Sequence, residues 1–370
     1  MLANYNFHGL HKPPSENFYA LPENLKAVQT KVMYVGVPHP TLKRRLTWTL
    51  AGTGAGREGL LLAPQLSGMM HVPFEQLMSE GPYTIGAFPE RTDWKSRAIN
   101  MGVYVNPDIA PHISGESGRL IDNPFRYRML EDRWWGSWSA TEDGYLGVWT
   151  RTHGWRWLRV RLASDSKTAF ELDPTAYENN FMQWDMSIVA TNPYWAKRDE
   201  FATWKNTIET STIWDKIEDL LNEFIPGLHV GEGKIKIPNR GDQPAYPKFI
   251  VSSPGKAWIK EGDHWIELPL LTPKDGYVLV DTDPNARTLT ASTDPVDPLL
   301  FRILRNSQLL DFLLHDILDT GLPVWRRFDK SFSPASRIPP KTLATLEVRH
   351  SNADGTITAI CPQRYAMAYG

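Results

Sequence analysis

Gly54-Ala55-Gly56-Arg57-Glu58-Gly59 has the glycine spacing of a dinucleotide-binding loop and follows a strand-like run. That chemistry needs a helix opening on the glycines, so that its N-terminal amides face a pyrophosphate. Leu60-Leu61-Leu62-Ala63-Pro64 follows instead, a short strand-like run stopped by proline, and a hairpin loop is expected. Asp281-Thr282-Asp283-Pro284-Asn285 resembles the start of a calcium loop. Ala286 stands where the sharp-turn glycine belongs and Ser292 where the bidentate glutamate belongs, so the expectation is a plain turn. Gly115-Glu116-Ser117-Gly118-Arg119 matches half of a nucleophile elbow and lacks its final glycine and flanking strand.

Cys361 is the only cysteine, which rules out an intrachain disulfide and a thiolate zinc site. Beside Pro362 at an apparent strand end, it reads as a small buried residue. The ten histidines are scattered, with no pair at helical metal-ligand spacing. The paired carboxylates of a glycoside hydrolase meet only in the fold, and no acidic residue here occupies a distinctive setting. Trp258 and Trp265 could form an aromatic platform for a sugar, although alternation puts most tryptophans on buried faces, in a core or a subunit interface. The residues therefore nominate no catalytic group, no metal ligand and no cofactor.

These residues have to be positioned by a chain of 370 residues, a length that suits two domains. Its 41% hydrophobic and 22% charged content is that of a globular protein. The formal charge of -2 gives no global attraction to nucleic acid, and no sequence-specific nucleic-acid binding is expected. The basic stretches Lys43-Arg44-Arg45 and Arg156-Trp157-Leu158-Arg159-Val160-Arg161 read as solvated strand faces. Met1-Leu2-Ala3-Asn4-Tyr5 has no basic segment leading into an apolar run, and nowhere do about 18 apolar residues run together. A soluble protein without a membrane anchor, made in a reducing cytoplasm, is the expectation.

The 29 prolines are spread along the chain, and six of the 15 tryptophans fall between Trp134 and Trp157. Scattered proline with short apolar runs means many turns and short strands. Residues 1–30 read as an N-terminal arm. Period-two alternation marks strands at Leu46–Leu50, Ile99–Val105 and Met182–Ile188. Within Trp155–Leu162 the apolar phase changes, which suggests a β-bulge near Trp157. Asn123 and Pro124 open a helix whose Tyr127, Leu130, Trp134 and Trp138 share one face.

A β-sandwich over 31–195 is thus expected, followed by a helical linker over 196–227. In that linker Phe201, Trp204 and Ile208 form one stripe, and Ile213, Ile217, Leu220 and Phe224 another. A second β domain is expected over 228–370. Its strands lie near Lys234–Ile237, Lys248–Val251, Lys256–Ile259, Trp265–Leu268, Tyr277–Asp281, Arg287–Ala291, Ala344–Val348 and Thr356–Ile360. A helix capped by Asp297 and ending at Gly321 interrupts them. The fold class is mainly β with helical decorations.

Several stretches, in this order, resemble the distal tail proteins of siphophages, the minor tail protein family of actinobacteriophages. They are Leu46-Thr47-Trp48-Thr49-Leu50-Ala51-Gly52 with Gly56 to Pro64, and Trp134-Trp135-Gly136-Ser137-Trp138 with Arg156 to Leu162. Asp173-Pro174 leading through Trp184 to Asn192-Pro193-Tyr194-Trp195 follows, and then Ile237-Pro238-Asn239-Arg240-Gly241-Asp242-Gln243-Pro244. The similarity covers about residues 31 to 290 and resumes near Ile338-Pro339-Pro340, leaving the N-terminal arm and the later helix outside it.

The resemblance implies a ring-forming β-sandwich followed by a galectin-like β-sandwich. It implies a homohexameric hub at the phage tail tip, open for DNA passage. The implied partners are its own copies, the tail tube protein, a tail-associated lysin or fibre protein, and the tape measure protein. The segment Trp134–Trp157 is the candidate contributor to the ring interface. A carbohydrate-binding host-recognition module and a tail-borne hydrolase stand as alternatives.

Overall fold

The computed structural model describes residues 30–64, 66–81, 85–105, 123–166, 175, 182–207, 230–273, 275–284, 289–291, 328, 330–333 and 336–369. The N-terminal arm, Gly115–Arg119, the stripe from Ile208 to Phe224 and the helix expected over 297–321 lie outside them. The chain divides into two compact units, Met1–Trp195 with Ala366–Gly370, and Ala196–Tyr365.

In the first unit β1 (Lys31–Pro38) pairs antiparallel with β2 (Arg45–Ala51) and with β7 (Gly144–Thr150). β7 pairs with β8 (Gly154–Leu162), whose last two residues pass the ladder on to β9 (Met182–Ala190). β9 then pairs with β6 (Arg97–Val105), and β6 with β3 (Leu60–Leu62). The alternation read from sequence holds, with Trp48, Leu50, Ile99, Met101, Val103, Trp184, Met186 and Ile188 all buried.

Helix α1 (Asn123–Trp135) packs between the two ends of this ladder. Its Trp134 makes edge contacts with Tyr34 of β1 and Trp48 of β2, while Tyr127 and Trp135 meet Trp184 of β9. Tyr34 stacks on Trp138 at 3.8 Å and donates its hydroxyl to Ser137 O at 2.8 Å, and Trp48 Nε1 donates to Ser137 Oγ at 3.1 Å. Gly36 is required beside this corner, because a Cβ there would lie 2.5 Å from that of Ser137.

Four sequence expectations need correction. The β7–β8 ladder runs from Gly144↔Val160 to Thr150↔Gly154 without a shift, so there is no bulge at Trp157. The phase change arises because the strand is buried on both faces. Trp157 lies over Gly147, where a Cβ would sit 2.6 Å from the indole, and the neighbouring Arg156 and Leu158 are buried too. Arg156 is therefore not a solvated strand residue. Arg159 and Arg161 are spent on Asp143 at 2.8 and 2.7 Å. Finally, the stretch expected to start a helix is β10 (Trp195–Lys205), a strand. Phe201 and Trp204 fall three apart by coincidence, and Trp195 and Asp199 are the buried positions of β10.

The second unit is a sandwich of two sheets. One runs β16 (Leu289–Ala291), β15 (Val278–Asp281), β12 (Lys248–Val251), β18 (Thr356–Tyr365), β10. The other is four-stranded, in the order β11 (Gly231–Asn239), β17 (Thr342–His350), β13 (Ala257–Glu261), β14 (His264–Glu267). Phe249, Val251, Val280 and Ala359 from the first meet Ile235, Ile237, Ile259, Ile266 and Val348 from the second in one core. Every strand expected in this part of the chain is present.

Candidate interaction surfaces

The chemistry considered from sequence is placed in structural roles. Gly54–Gly59 is a turn rich in positive φ, at Gly54, Gly56 and Gly59, and Glu58 accepts the Thr49 amide at 3.2 Å. No helix follows, and β3 pairs with β6 rather than closing a hairpin with β2. Asp281 pairs with Lys248 at 3.2 Å and accepts the Asp283 amide, while Asp283 faces Arg364 at 3.7 Å. These carboxylates answer to cations of the chain. Among the described residues no group of His, Cys, Asp or Glu is arranged to hold a metal. Cys361 is buried in the core, and burial pushes its thiol up to about 12, so it stays protonated and unreactive.

A cleft of about 320 Å³ in the first unit is lined by Pro64, Leu66, Ser67, Asn100, Met101, Asp185, Met186 and Ser187. Ser187 Oγ donates to the amide oxygen of Asn100 at 2.7 Å. An amide oxygen is not a base, so this serine is not activated.

Arg97 is wholly buried, and its guanidinium donates to the carbonyls of Pro193 (2.9 Å), Gly68 (2.7 Å), Met70 (3.3 Å) and Ala366 (2.6 Å). Burial lowers it to about 10, which still leaves it charged at neutral pH. Arg156 Nη1 donates to Met367 O at 2.6 Å. Together they fasten the C-terminal residues to the first unit. Sequence separations of 269 and 211 residues hid both contacts from a reading of local pattern.

Two surfaces remain. The first is the hairpin β4 (Phe74–Ser79) and β5 (Phe88–Trp94), which among the described residues pair only with each other. Phe74, Leu77, Met78, Phe88 and Trp94 on it are exposed, as are Met70 and Ile85 nearby. Phe74 and Trp94 form an edge pair at 5.8 Å, and Lys95 meets Glu75 at 3.1 Å at the foot of the hairpin. By contrast Trp134, Trp138 and Trp157 are buried within their own unit. Those three rings already have partners, whereas Trp135, Trp149 and Trp155 of the same segment are half-buried. The hairpin gave little sequence signal because both of its faces mix polar and apolar residues.

The second surface is the outer face of the four-stranded sheet. The core takes Ile235, Ile237, Val348, Ile259 and Ile266, and residues of the other parity point outward. Register places Glu232, Arg349, Trp258 and Glu267 in one cross-strand row, and pairs Lys234 with Glu347 and Lys260 with Trp265 in the next. Glu347 binds Lys260 and, at 3.0 Å, Lys234, and these hydrogen bonds hold its carboxyl down to about 2. Glu267 binds Lys256 and faces Lys330 at 3.6 Å, and its carboxyl is lowered chiefly by the hydrogen bond from Lys256. Arg349 donates to Glu232 at 2.8 Å while its guanidinium carbon lies 3.8 Å over the Trp265 ring. Trp265 is therefore roofed, and the pair of open platforms considered from sequence reduces to Trp258, which is half-buried with Lys256 5.8 Å from its ring centre.

No family model matches the sequence, and no curated protein matches it. Solved structures do. The SPP1 Dit (gp 19.1) protein, described as a paradigm of the hub adsorption apparatus in phages infecting Gram-positive bacteria, is similar at 10% identity and a TM-score of 0.45, over 90% of this chain and 98% of that one. A chain of the phage P2 baseplate in its activated conformation with Ca is similar at 8% identity and a TM-score of 0.48, over 92% and 99%. The same baseplate with Sr gives 9%, 0.45, 92% and 99%. The structural neighbours of this chain are thus phage hub and baseplate proteins.

Proposed function

We propose that the chain is a structural subunit of a phage tail tip, a distal tail protein whose copies close into a homohexameric hub. The observation that carries this reading is the β4–β5 hairpin, which concentrates exposed Phe, Leu, Met and Trp side chains on an element with no partner strand among the described residues. A two-stranded ribbon exposed on both faces is marginal in water by itself and gains its order by docking. When such an arm docks on a different surface of the next copy, the contact is heterologous and closes into a ring if the rotation allows. The order of sequence motifs shared with distal tail proteins supports the same reading. In it the ring joins the tail tube protein to a tail-associated lysin or fibre protein, adjoins the tape measure protein and leaves a channel for DNA. The protein in this reading works in the virion in a structural role.

Amine-reactive cross-linking of an equal mixture of light and isotopically heavy chain tests the arm. Lys95 at the hairpin foot is expected in mixed-label cross-links between copies. Cross-links of Lys95 confined to single chains would overturn it.

A further inference from the structure

The outer face of the four-stranded sheet carries more cations than its carboxylates balance. Glu347 pairs with Lys234 and Lys260, Glu267 with Lys256 and Lys330, and Glu232 with Arg349, while the charge of Asp263 also acts on Lys260. Lys236, exposed and of the same outward parity, lies opposite Thr345. Six cationic side chains therefore meet four carboxylates on a chain whose formal charge is -2. A carboxylate divided between two ammonium groups leaves a net positive charge at each trio. Both trios draw on cations at β13, Lys260 within it for one and Lys256 just before it for the other.

The aromatic groups narrow the class of ligand. Arg349 already covers Trp265, so a neutral sugar would have to displace a stacked guanidinium to use that ring. An anionic ligand faces no such conflict, because it is drawn to the cations that fence the indoles. Trp258, in the row between Arg349 and Glu267, is left to stack against the C–H face of a sugar ring.

We propose that this face binds an anionic polysaccharide, with acidic groups held by Lys234, Lys260, Lys256 and Arg349 and one sugar ring packed on Trp258. An acidic peptide would satisfy the lysines equally well, and it is the half-buried indole inside the charged lattice that favours a saccharide. The proposal does not depend on how the copies of the chain assemble.

Calorimetry on the full chain tests it, using oligogalacturonate, the same oligomer with its carboxyls methyl-esterified, and polyglutamate. Oligogalacturonate is expected to bind, more weakly as salt is raised. The ester and polyglutamate are expected to bind about tenfold more weakly, the equivalent of one or two lost charge contacts. Lys234→Gln with Lys260→Gln should weaken the acid form to a similar degree, Trp258→Ala should weaken it too, and Lys260→Arg should keep it. Lys43→Gln with Arg44→Gln, charges of the other unit, should change nothing. Circular dichroism shows whether each variant folds, and the salt series on the unaltered chain stands if one does not. Absence of binding at millimolar oligogalacturonate, equal binding of the ester, or a response of the acid form indifferent to salt would overturn the proposal. Polyglutamate binding as tightly as oligogalacturonate would also overturn it, in favour of an acidic protein partner.

Discussion

Arg97 is wholly buried and bonded to four backbone carbonyls. A buried cation with no carboxylate among its described partners would ordinarily be costly, and replacing one by an apolar residue can stabilise a protein. Here Arg97→Met removes the donor of four part-buried bonds to carbonyls, and a lost hydrogen bond from a charged group costs about 1.5–3 kcal/mol. The acceptors outnumber the single charge removed, so Arg97→Met is expected to destabilise the first unit by about 2–4 kcal/mol. Removing Ala366–Gly370 takes away the acceptors of Arg97 Nη2 and Arg156 Nη1 instead. Each is a charge-assisted bond, so a loss of roughly 3 kcal/mol is expected. Hydrogen exchange should speed up in β6 and β8 of both variants and leave β12 unchanged. Unaltered protection in β6 would show that the clasp contributes nothing. None of this was visible in the sequence, where Arg97 reads only as the residue before an alternating strand and Arg156 as one of a basic run.

At the scale of elements, the sheet face and the hairpin make separate predictions. Glu347 has its carboxyl lowered by Lys260 and Lys234, so the lattice is complete above the ordinary carboxylate range of about 4.3. Its contribution is lost only as pH falls toward about 2. The carboxyl carbon of Glu347 should titrate there by NMR, and Lys260→Gln should move the midpoint upward. A midpoint near the ordinary value in the unaltered chain would mean that the ion pairs do not persist in solution. For the hairpin, Phe74→Ser with Trp94→Ser removes an exposed aromatic pair worth about 0.5–1.5 kcal/mol, so folding should be nearly unaffected. Assembly should fail, with the variant sedimenting as a single copy. A variant that assembles normally would exclude the hairpin as the closing element.

Elements with one buried face were legible in advance. Trp48 and Leu50, or Trp184, Met186 and Ile188, announce their strands by period-two alternation, and Tyr127, Leu130 and Trp134 announce α1 by spacings of three and four. Elements buried on both faces or on neither were not. β8 imitated a bulge, β10 imitated a helix, and β4–β5 gave no pattern. Trp258 and Trp265 could be singled out by residue type, but the partners that roof one of them come from β17, more than eighty residues away.

The whole molecule comprises two compact units, each with its own sheet layers. Among the described residues two surfaces stand out, and they differ in kind. The hairpin offers apolar contact suited to copies of the chain, and the charged sheet face suits a polar ligand. The most direct test of the central claim is the mass of the purified chain by light scattering, with negative-stain images of the same fractions. A particle of about six copies of the 42.1 kDa chain, seen as a ring with an open centre, is the expected result. A monomer at every concentration, with no rings on the grid, would contradict the proposed self-assembling hub.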